Sequence, residues 1–298
     1  MRVDPFYITH LVGSLSNTQL RQQQLSAQLS SGVNITSLSD NPVAAGQNVA
    51  LLDQIQRDDS FTTSANMVTG QLQVSDSALG SVVSQLTQVI SLATSANNGT
   101  MSADNVKTVS SQIAGILSEV QSLANTSYQG RFIFAGGQTE TTPFSTTNGT
   151  TSYSGDANVN YLELPNGQRI QLNVPGDQIF LGSGGNSVFG TLNALVADYA
   201  SGVVDLPKAA ADITELNKAL NFVSQQRVTI DNSITQLTSA SSAVTTEKTQ
   251  LIAAQMNLIQ ADIPTIATQM AQTQTQQTAL ISVIAQLESS SNNLFSKM

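Results

Sequence analysis

The chain has 298 residues, room for about two or three domains and an ample core, and its net charge of -9 rests on only 11 basic and 20 acidic residues. With no Lys/Arg cluster to neutralise phosphates, nucleic acid is excluded as a partner. The absence of Cys and the single His exclude disulfides, thiolate chemistry and Cys/His metal sites, and no run approaches the roughly 18 to 20 apolar residues of a membrane helix. Met1 to His10 lacks the basic region and apolar run of a secretory signal, so any exit from the cell is expected to leave this end intact. Charge is unevenly placed: between Pro5 and Leu52 there are only Arg21 and Asp40, and between Ile263 and Ser296 only Glu288.

Taken in order, residues 11–31 read as a first helix, in which Leu11, Leu15, Thr18, Gln22, Leu25 and Leu29 alternate steps of four and three. Gly32 ends it. Asn41 suits an N-cap and Pro42 the first helical position, where its missing donor has no helical partner to lose. The second helix therefore starts at Pro42 and runs past Leu72, Leu79, Val82, Leu86 and Ile90 to the Asn97-Asn98-Gly99 stop. A third, from Ala103, keeps the seam through Val106, Val109, Ile113, Ile116, Val120 and Leu123, and so short a turn sets it antiparallel to the second.

From Tyr128 the period changes from seven to two. Arg131 to Phe134 alternates between flanking glycines and reads as a strand. Tyr161–Leu164 and Arg169–Val174 flank Pro165-Asn166-Gly167-Gln168, a hairpin with Leu162, Leu164, Ile170, Leu172 and Val174 on one face. Residues 131–206 are thus expected to be a small β-rich domain inserted between helical halves. Helix resumes near Pro207, its seam passing through Ile213, Leu216, Leu220, Val223, Arg227, Ile230, Ile234, Leu237 and Val244, with a stutter of four-residue steps over Glu247–Met256. Pro264 removes a helix donor, which predicts a break or kink near Asp262–Pro264.

The last seam runs Ile252, Met256, Ile259, Ile263, Ile266, Met270, Thr273, Gln277, Leu280, Ile284, Leu287, Ser291 and Leu294. Ten of these 13 positions are apolar, against about five expected in a chain that is 40% hydrophobic. Both terminal seams carry one adjacent Thr/Gln interruption. If the polar layers face each other, the two helices pair antiparallel as Leu11 with Ile284, Leu15 with Leu280, Thr18 with Gln277, Gln22 with Thr273, Leu25 with Met270 and Leu29 with Ile266. Arms with so few charges are marginal as isolated helices and gain stability by packing on copies of themselves.

Candidate chemistry is sparse. His10 lies in a polar segment without an acidic or Cys neighbour and reads as a surface residue. Asp53, Asp58 and Asp59 lack the glycine-bearing loop of a calcium site and read as a solvated face. Gly182-Ser183-Gly184-Gly185 has no following Lys-Ser/Thr and reads as a flexible loop. The triplets at Asn34, Asn98, Asn125 and Asn148 match the glycosylation pattern but matter only on a secretory route. No catalytic residue, metal ligand or cofactor site is assigned.

Three regions carry a resemblance. Leu25 to Gly32, ending Ser30-Ser31-Gly32, followed by Ser39-Asp40-Asn41-Pro42-Val43-Ala44-Ala45, resembles the N-terminal signature of the bacterial flagellin superfamily, in the form seen in hook-associated junction proteins. Gln129-Gly130-Arg131-Phe132-Ile133-Phe134-Ala135-Gly136-Gly137 is similar to the Gly-Arg-aromatic-x-Phe-x-Gly segment of the type 3 hook-associated family, and Asp262-Ile263-Pro264 with Gln274 to Leu280 resembles its C-terminal arm.

The resemblance implies a mainly α fold, with long antiparallel coiled-coil helices from both chain ends and a small β-rich outer domain. It implies a non-enzymatic structural protein, exported by the flagellar type III route and forming a ring between hook and filament. Its partners would be copies of itself, the other hook-associated junction protein, flagellin and an export chaperone, with neither nucleic acid nor membrane. The expected divisions are an N-terminal assembly arm (1–41), a helical core in two halves (42–130 and 207–261), the outer domain (131–206) and a C-terminal arm (262–298). The assembly interface is expected along the seams from Leu11 to Leu29 and from Ile263 to Leu294. Three alternatives remain: a flagellin forming the bulk filament, a cytoplasmic signalling or adaptor coiled coil and, more remotely, a secreted enzyme acting through the β domain.

Overall fold

The computed structural model describes residues 5–35, 37, 39–147, 150–164, 167–182 and 187–295. Among the described residues, six α-helices and three small antiparallel hairpins follow one another as α1 (Pro5–Ser31), α2 (Pro42–Ala96), α3 (Ala103–Ala124), β1 (Ser127–Tyr128), β2 (Arg131–Phe132), β3 (Phe144–Thr147), β4 (Thr150–Tyr153), β5 (Tyr161–Glu163), β6 (Arg169–Gln171), α4 (Val188–Ala200), α5 (Leu206–Ile259) and α6 (Ile263–Phe295). The chain divides into two compact units, one made of residues 1–59 and 246–298 and the other of residues 60–245. Helices α2 and α5 contribute residues to both.

In the unit formed by residues 60–245, the seam positions become the core. Leu72, Leu79, Val82 and Leu86 of α2, Val106, Val109, Ile113 and Val120 of α3, and Leu216, Val223, Ile230 and Leu237 of α5 are all buried. Ser102 caps α3, accepting a hydrogen bond from the Asn105 N–H at 3.3 Å, and so satisfies an otherwise orphaned donor of the first turn. Residues 131–206 bury Phe134, Phe144, Phe180, Phe189, Leu192 and Leu195 into the same apolar cluster as the helices. The boundaries expected at 130/131 and 206/207 therefore fall within the stretch that feeds one apolar cluster.

Four elements in that stretch differ from the sequence reading. The strand expected at Arg131–Phe134 pairs only as Tyr128 with Arg131 and Ser127 with Phe132, around a two-residue turn in which Gln129 (φ 51°) and Gly130 (φ 78°) both take positive φ, as primed hairpin turns require. Ile133 N–H still donates to Thr126 O at 3.2 Å, while the Ile133 and Phe134 side chains are buried in the core. A second hairpin, Phe144–Thr147 with Thr150–Tyr153, was not legible in its Ser/Thr-rich sequence. A π-helical turn occupies Asp177–Leu181, and α4 lies in what read as β-rich sequence. The third hairpin pairs Leu162 with Ile170 as expected, and Leu164, Ile170 and Val174 are buried. Pro165 and Asn166 of the expected turn, Asn148 and Gly149, and Ser183 to Gly185 of the glycine run lie outside the described residues.

In the other unit, α1 begins at Pro5, six residues before the first seam leucine, and packs against α6. Pro264 is the second residue of α6, in the first turn where a missing N–H leaves no bond unmade. The expected discontinuity is thus a complete break between α5 and α6 at residues 260–262.

Candidate assembly interface

The pairing of α1 with α6 follows from what joins them at one end. Gly32 adopts φ 70°, and its N–H donates to the Gln28 carbonyl at 2.9 Å, a glycine stop for α1. The freed chain then forms a short antiparallel clasp with the α5–α6 break. Asn34 N–H donates to Ile259 O at 2.6 Å, Ala261 N–H donates to Gly32 O at 3.0 Å, and Val33 faces Gln260 between them. Because the end of α1 meets the start of α6 here, the two helices run antiparallel.

The motif residues 31–45 build this corner. Gln28, buried, donates its amide to Asn34 O at 2.7 Å. Asp40 accepts from Ser37 N–H at 2.8 Å through one carboxylate oxygen and from the Gln24 amide at 2.9 Å through the other, tying the loop back onto α1. Asn41 caps α2, its side chain accepting from Ala44 N–H at 3.1 Å, with Pro42 following at the first helical position. Ala44 and Ala45 are buried. Across the clasp Asp262 caps α6, accepting from the Thr265 hydroxyl at 2.6 Å.

Along the helices, burial follows the predicted phase. Leu25, Ile266 and Thr273 are buried, while Leu11, Leu15, Thr18, Gln22, Met270, Gln277, Leu280, Ile284 and Leu287 are half-buried. Leu25, Ala261 and Ile266 form one small cluster with Met270 against it. Four expected seam residues depart: Leu29 is 37% exposed and Ile263 42% exposed, and at the end of α5 Ile252 is 37% and Met256 56% exposed. Gln28 takes the buried position beside Leu29 because the clasp recruits its amide, and Ile263 sits in the capping turn before the helices engage. The Leu294 side chain lies outside the described residues. Gln28, Asn34, Gln260 and Ala261 were missed; the signal was the coincidence of two chain stops, Gly32 and Asp262-Ile263-Pro264.

The polar layer is locally satisfied. Thr18 and Thr273 each donate their hydroxyl to the carbonyl four residues back, at 2.8 and 2.7 Å, which lets a buried threonine sit in the seam without an orphaned group. Beside it Gln19, Gln22, Gln23, Ser26 and Ser30 of α1, with Met270, line an open cleft of about 750 Å³. Twelve of the 17 exposed large apolar side chains among the described residues belong to this unit, among them Val12, Leu20, Val49, Met256 and Ile281.

The acidic group at Asp53–Asp59 corrects the solvated-face reading in part. Asp53 pairs with Arg57 at 2.9 Å and Asp59 with Lys248, but Asp58 is buried, and burial, with Glu247 and Asp59 close by, pushes its carboxyl above the ordinary value. His10 is exposed. Among the described residues no cluster of His, Cys, Asp or Glu could hold a metal, and no helix is long and apolar enough to cross a membrane.

The second motif, Gly130 to Gly136, lies in the other unit and makes its own turn. Arg131 donates to the Thr139 hydroxyl at 3.0 Å, Phe132 N–H to Thr139 O at 2.8 Å, and the Phe134 carbonyl accepts from both Gly176 N–H and the Tyr153 hydroxyl at 2.9 Å. Phe134 itself packs edge-on to Phe180, ring centroids 5.5 Å apart. Gly136, at φ 66°, passes close to Asp156, whose carboxylate accepts from Gly137 and Asn158 N–H groups that hold it below the ordinary carboxylate range. The two motif stretches therefore serve separate local corners.

Residues 9–139 match the family model of the bacterial flagellin N-terminal helical region. The chain is 28% identical to flagellar hook-associated protein 3 of Escherichia coli (strain K12) over 223 residues, 69% of this chain and 70% of that one. In structure it resembles flagellar hook-associated protein-3 of Legionella pneumophila, with a TM-score of 0.63 at 13% identity over 70% of this chain and 98% of that one. It also resembles Bacillus cereus FlgL, with a TM-score of 0.55 at 22% identity over 72% of this chain and all of that one.

Proposed function

We propose that this chain is a structural subunit of the bacterial flagellum that joins hook to filament, assembling as a ring through α1 and α6. The observation that carries this reading is the imbalance within the unit built from the chain ends. Its α1–α6 core holds three buried apolar residues, Leu25, Ala261 and Ile266, among those described. The other unit's cluster holds 34. So small a core leaves the seam half-exposed, and the near absence of charge on α1 and α6 sets up no repulsion between copies. The arms are stabilised by further copies of themselves.

Sequence likeness to a flagellar hook-associated protein 3, over most of both chains, supports placing that assembly at the hook–filament junction. The partners on this reading are copies of the chain, the second hook-associated junction protein on one side and flagellin on the other, with an export chaperone holding the arms before secretion without a cleaved signal. The interface runs along Leu11, Leu15, Thr18, Gln22 and Leu25 and along Ile266, Met270, Thr273, Gln277, Leu280, Ile284 and Leu287, with Leu29, Ile263 and Leu294 completed by neighbours.

The test is seeded assembly with purified protein. A junction subunit adds to hook fragments and then stops, and it is recovered from sheared flagella in small amounts relative to flagellin. Long filaments grown from the purified protein alone would transfer the assignment to a bulk filament subunit.

A further inference from the structure

The corner between α4 and α5 gathers more negative charge than it can neutralise. Asp198, near the C-terminal end of α4, has a side chain 8% exposed and forms an ion pair with Lys208 in the first turn of α5. Asp212 lies one helical turn beyond Lys208 on the same helix. One oxygen of each carboxyl, Asp198 Oδ2 and Asp212 Oδ2, is buried and receives no hydrogen bond from any donor of the protein. Glu215 Oε2 is a third buried oxygen without a donor, its other oxygen being held by Lys218 at 2.7 Å.

We propose that Asp198 and Asp212 share a single proton, which makes the α4–α5 corner a latch that is closed in mild acid and loosened as the medium becomes alkaline. Two neighbouring carboxyls, each half-buried with one oxygen wholly buried, cannot both ionise without repulsion, whereas one proton between them gives each of the two orphaned oxygens a partner. The end of α4 adds to the effect, because unpaired carbonyls there disfavour a second negative charge.

The other groups around the pair do not relieve it. On α5, Lys208 is already committed to Asp198, and Lys218 to Glu215. Asp205, in the turn, caps α5 by accepting from Lys208 N–H at 3.3 Å and is itself acidic. On α4, the Tyr199 hydroxyl is directed to Asn97 Oδ1 at 3.0 Å at the end of α2. On α3, Lys107 lies beside the turn at Gly202 and is 4.0 Å from Asp104, its own helix neighbour. Burial and the facing Asp198 push the Asp212 carboxyl up to about 6. For Asp198 burial acts in the same upward direction but is outweighed by its bonds from Lys208 and Asp212, so it is the partner that stays ionised. A folded-state value above the ordinary 3.8 gives stability that is complete below that value and lost as pH rises through about 6.

The experiment is hydrogen exchange of the full chain at pH 5 and pH 8, corrected for intrinsic exchange, read on peptides covering residues 196–216. The wild type is expected to lose protection there at pH 8 by at least about tenfold, the equivalent of one pKa unit. Asp212→Asn, whose amide is a permanent donor to Asp198, is expected to be equally protected at both pH values. Unchanged wild-type protection, or a drop that persists in Asp212→Asn, overturns the latch. Should that variant not fold, carbon NMR titration of the wild-type carboxyls decides: one of the pair titrating at about 6 supports it, and both titrating near about 4 overturns it.

Discussion

Arg227 holds Asp76 with two parallel hydrogen bonds, Nε to Oδ1 at 2.8 Å and Nη2 to Oδ2 at 3.0 Å, linking α5 to α2 within the 60–245 unit. The pair explains why a seam that is otherwise apolar carries an arginine. Gly80 makes the space: a Cβ there would lie 3.3 Å from the guanidinium carbon. With the two side chains 34% and 24% exposed, solvent screens part of the attraction, and Arg227→Ala is expected to cost about 1–2 kcal/mol in urea unfolding. A double-mutant cycle with Asp76→Ala isolates the pair; a coupling near zero would show that packing of the arginine stem, and not the ion pair, is what matters.

Gly136 provides a sharper test of the second motif. An added Cβ would sit 2.1 Å from the Asp156 carbonyl oxygen, and its φ of 66° already disfavours a side chain. Backbone must move, so Gly136→Ala should destabilise by more than about 3 kcal/mol. Gly130→Ala is the control: its φ is 78° but nothing lies within 4 Å of the added carbon, so only the conformational term of about 1–2 kcal/mol is expected. Comparable losses in the two variants would remove the claim that contact with Asp156 is why a glycine stands at 136.

These cases mark what was legible in the chain. Seam phase was, because a period of 3.5 in Leu15, Leu25, Ile266 and Leu280 has one reading as a helix face. The exchange of Leu29 for Gln28 was not, since it depends on a carbonyl of Asn34 that only the folded clasp brings within reach. Helix α4 was hidden by its Gly/Ser surroundings. Yet Ser187, accepting from Gly190 N–H at 2.9 Å, is an ordinary cap, and Phe189, Leu192, Leu195 and Tyr199 share one buried face. Phe134 departed from the strand reading because its partner strand has only two residues and the aromatic cluster offers more burial than a longer ladder. The α1–α6 pairing was visible as two matched seams, but the clasp that joins them was not.

Alkaline titration should separate two phenols from the rest of the chain. Burial pushes Tyr153 and Tyr199 up to about 12, reinforced by Asp177 for the first and by Asp212 and Asp198 for the second. Both folded-state values lie above the ordinary 10.0, so the associated stability is fully present below that value and lost as pH rises through about 12. Phenolate absorbance from these two should therefore appear together with loss of helical circular dichroism. Tyr153→Phe with Tyr199→Phe should remove the late phase; a late phase of unchanged amplitude would place it elsewhere.

The register of α1 against α6 can be fixed chemically because the chain contains no cysteine. Leu25→Cys with Met270→Cys joins two positions that meet at the same small cluster, and on mild oxidation it should form an intramolecular disulfide. Leu29→Cys with Ile266→Cys, the next pair on an ideal heptad, should couple less well because Leu29 points toward solvent. Gln277→Leu then tests the polar layer. Thr273 is satisfied within its own helix, so the layer specifies register by excluding slipped pairings and not by binding energy, and replacing Gln277 makes a seven-residue slip acceptable. The expected result is a more stable α1–α6 pair, with melting raised, in which the Leu25/Met270 cross-link forms in lower yield and slipped cross-links appear. An undiminished yield with no slipped products would mean that the clasp at Gly32 and Ala261, and not the Thr/Gln layer, sets the register.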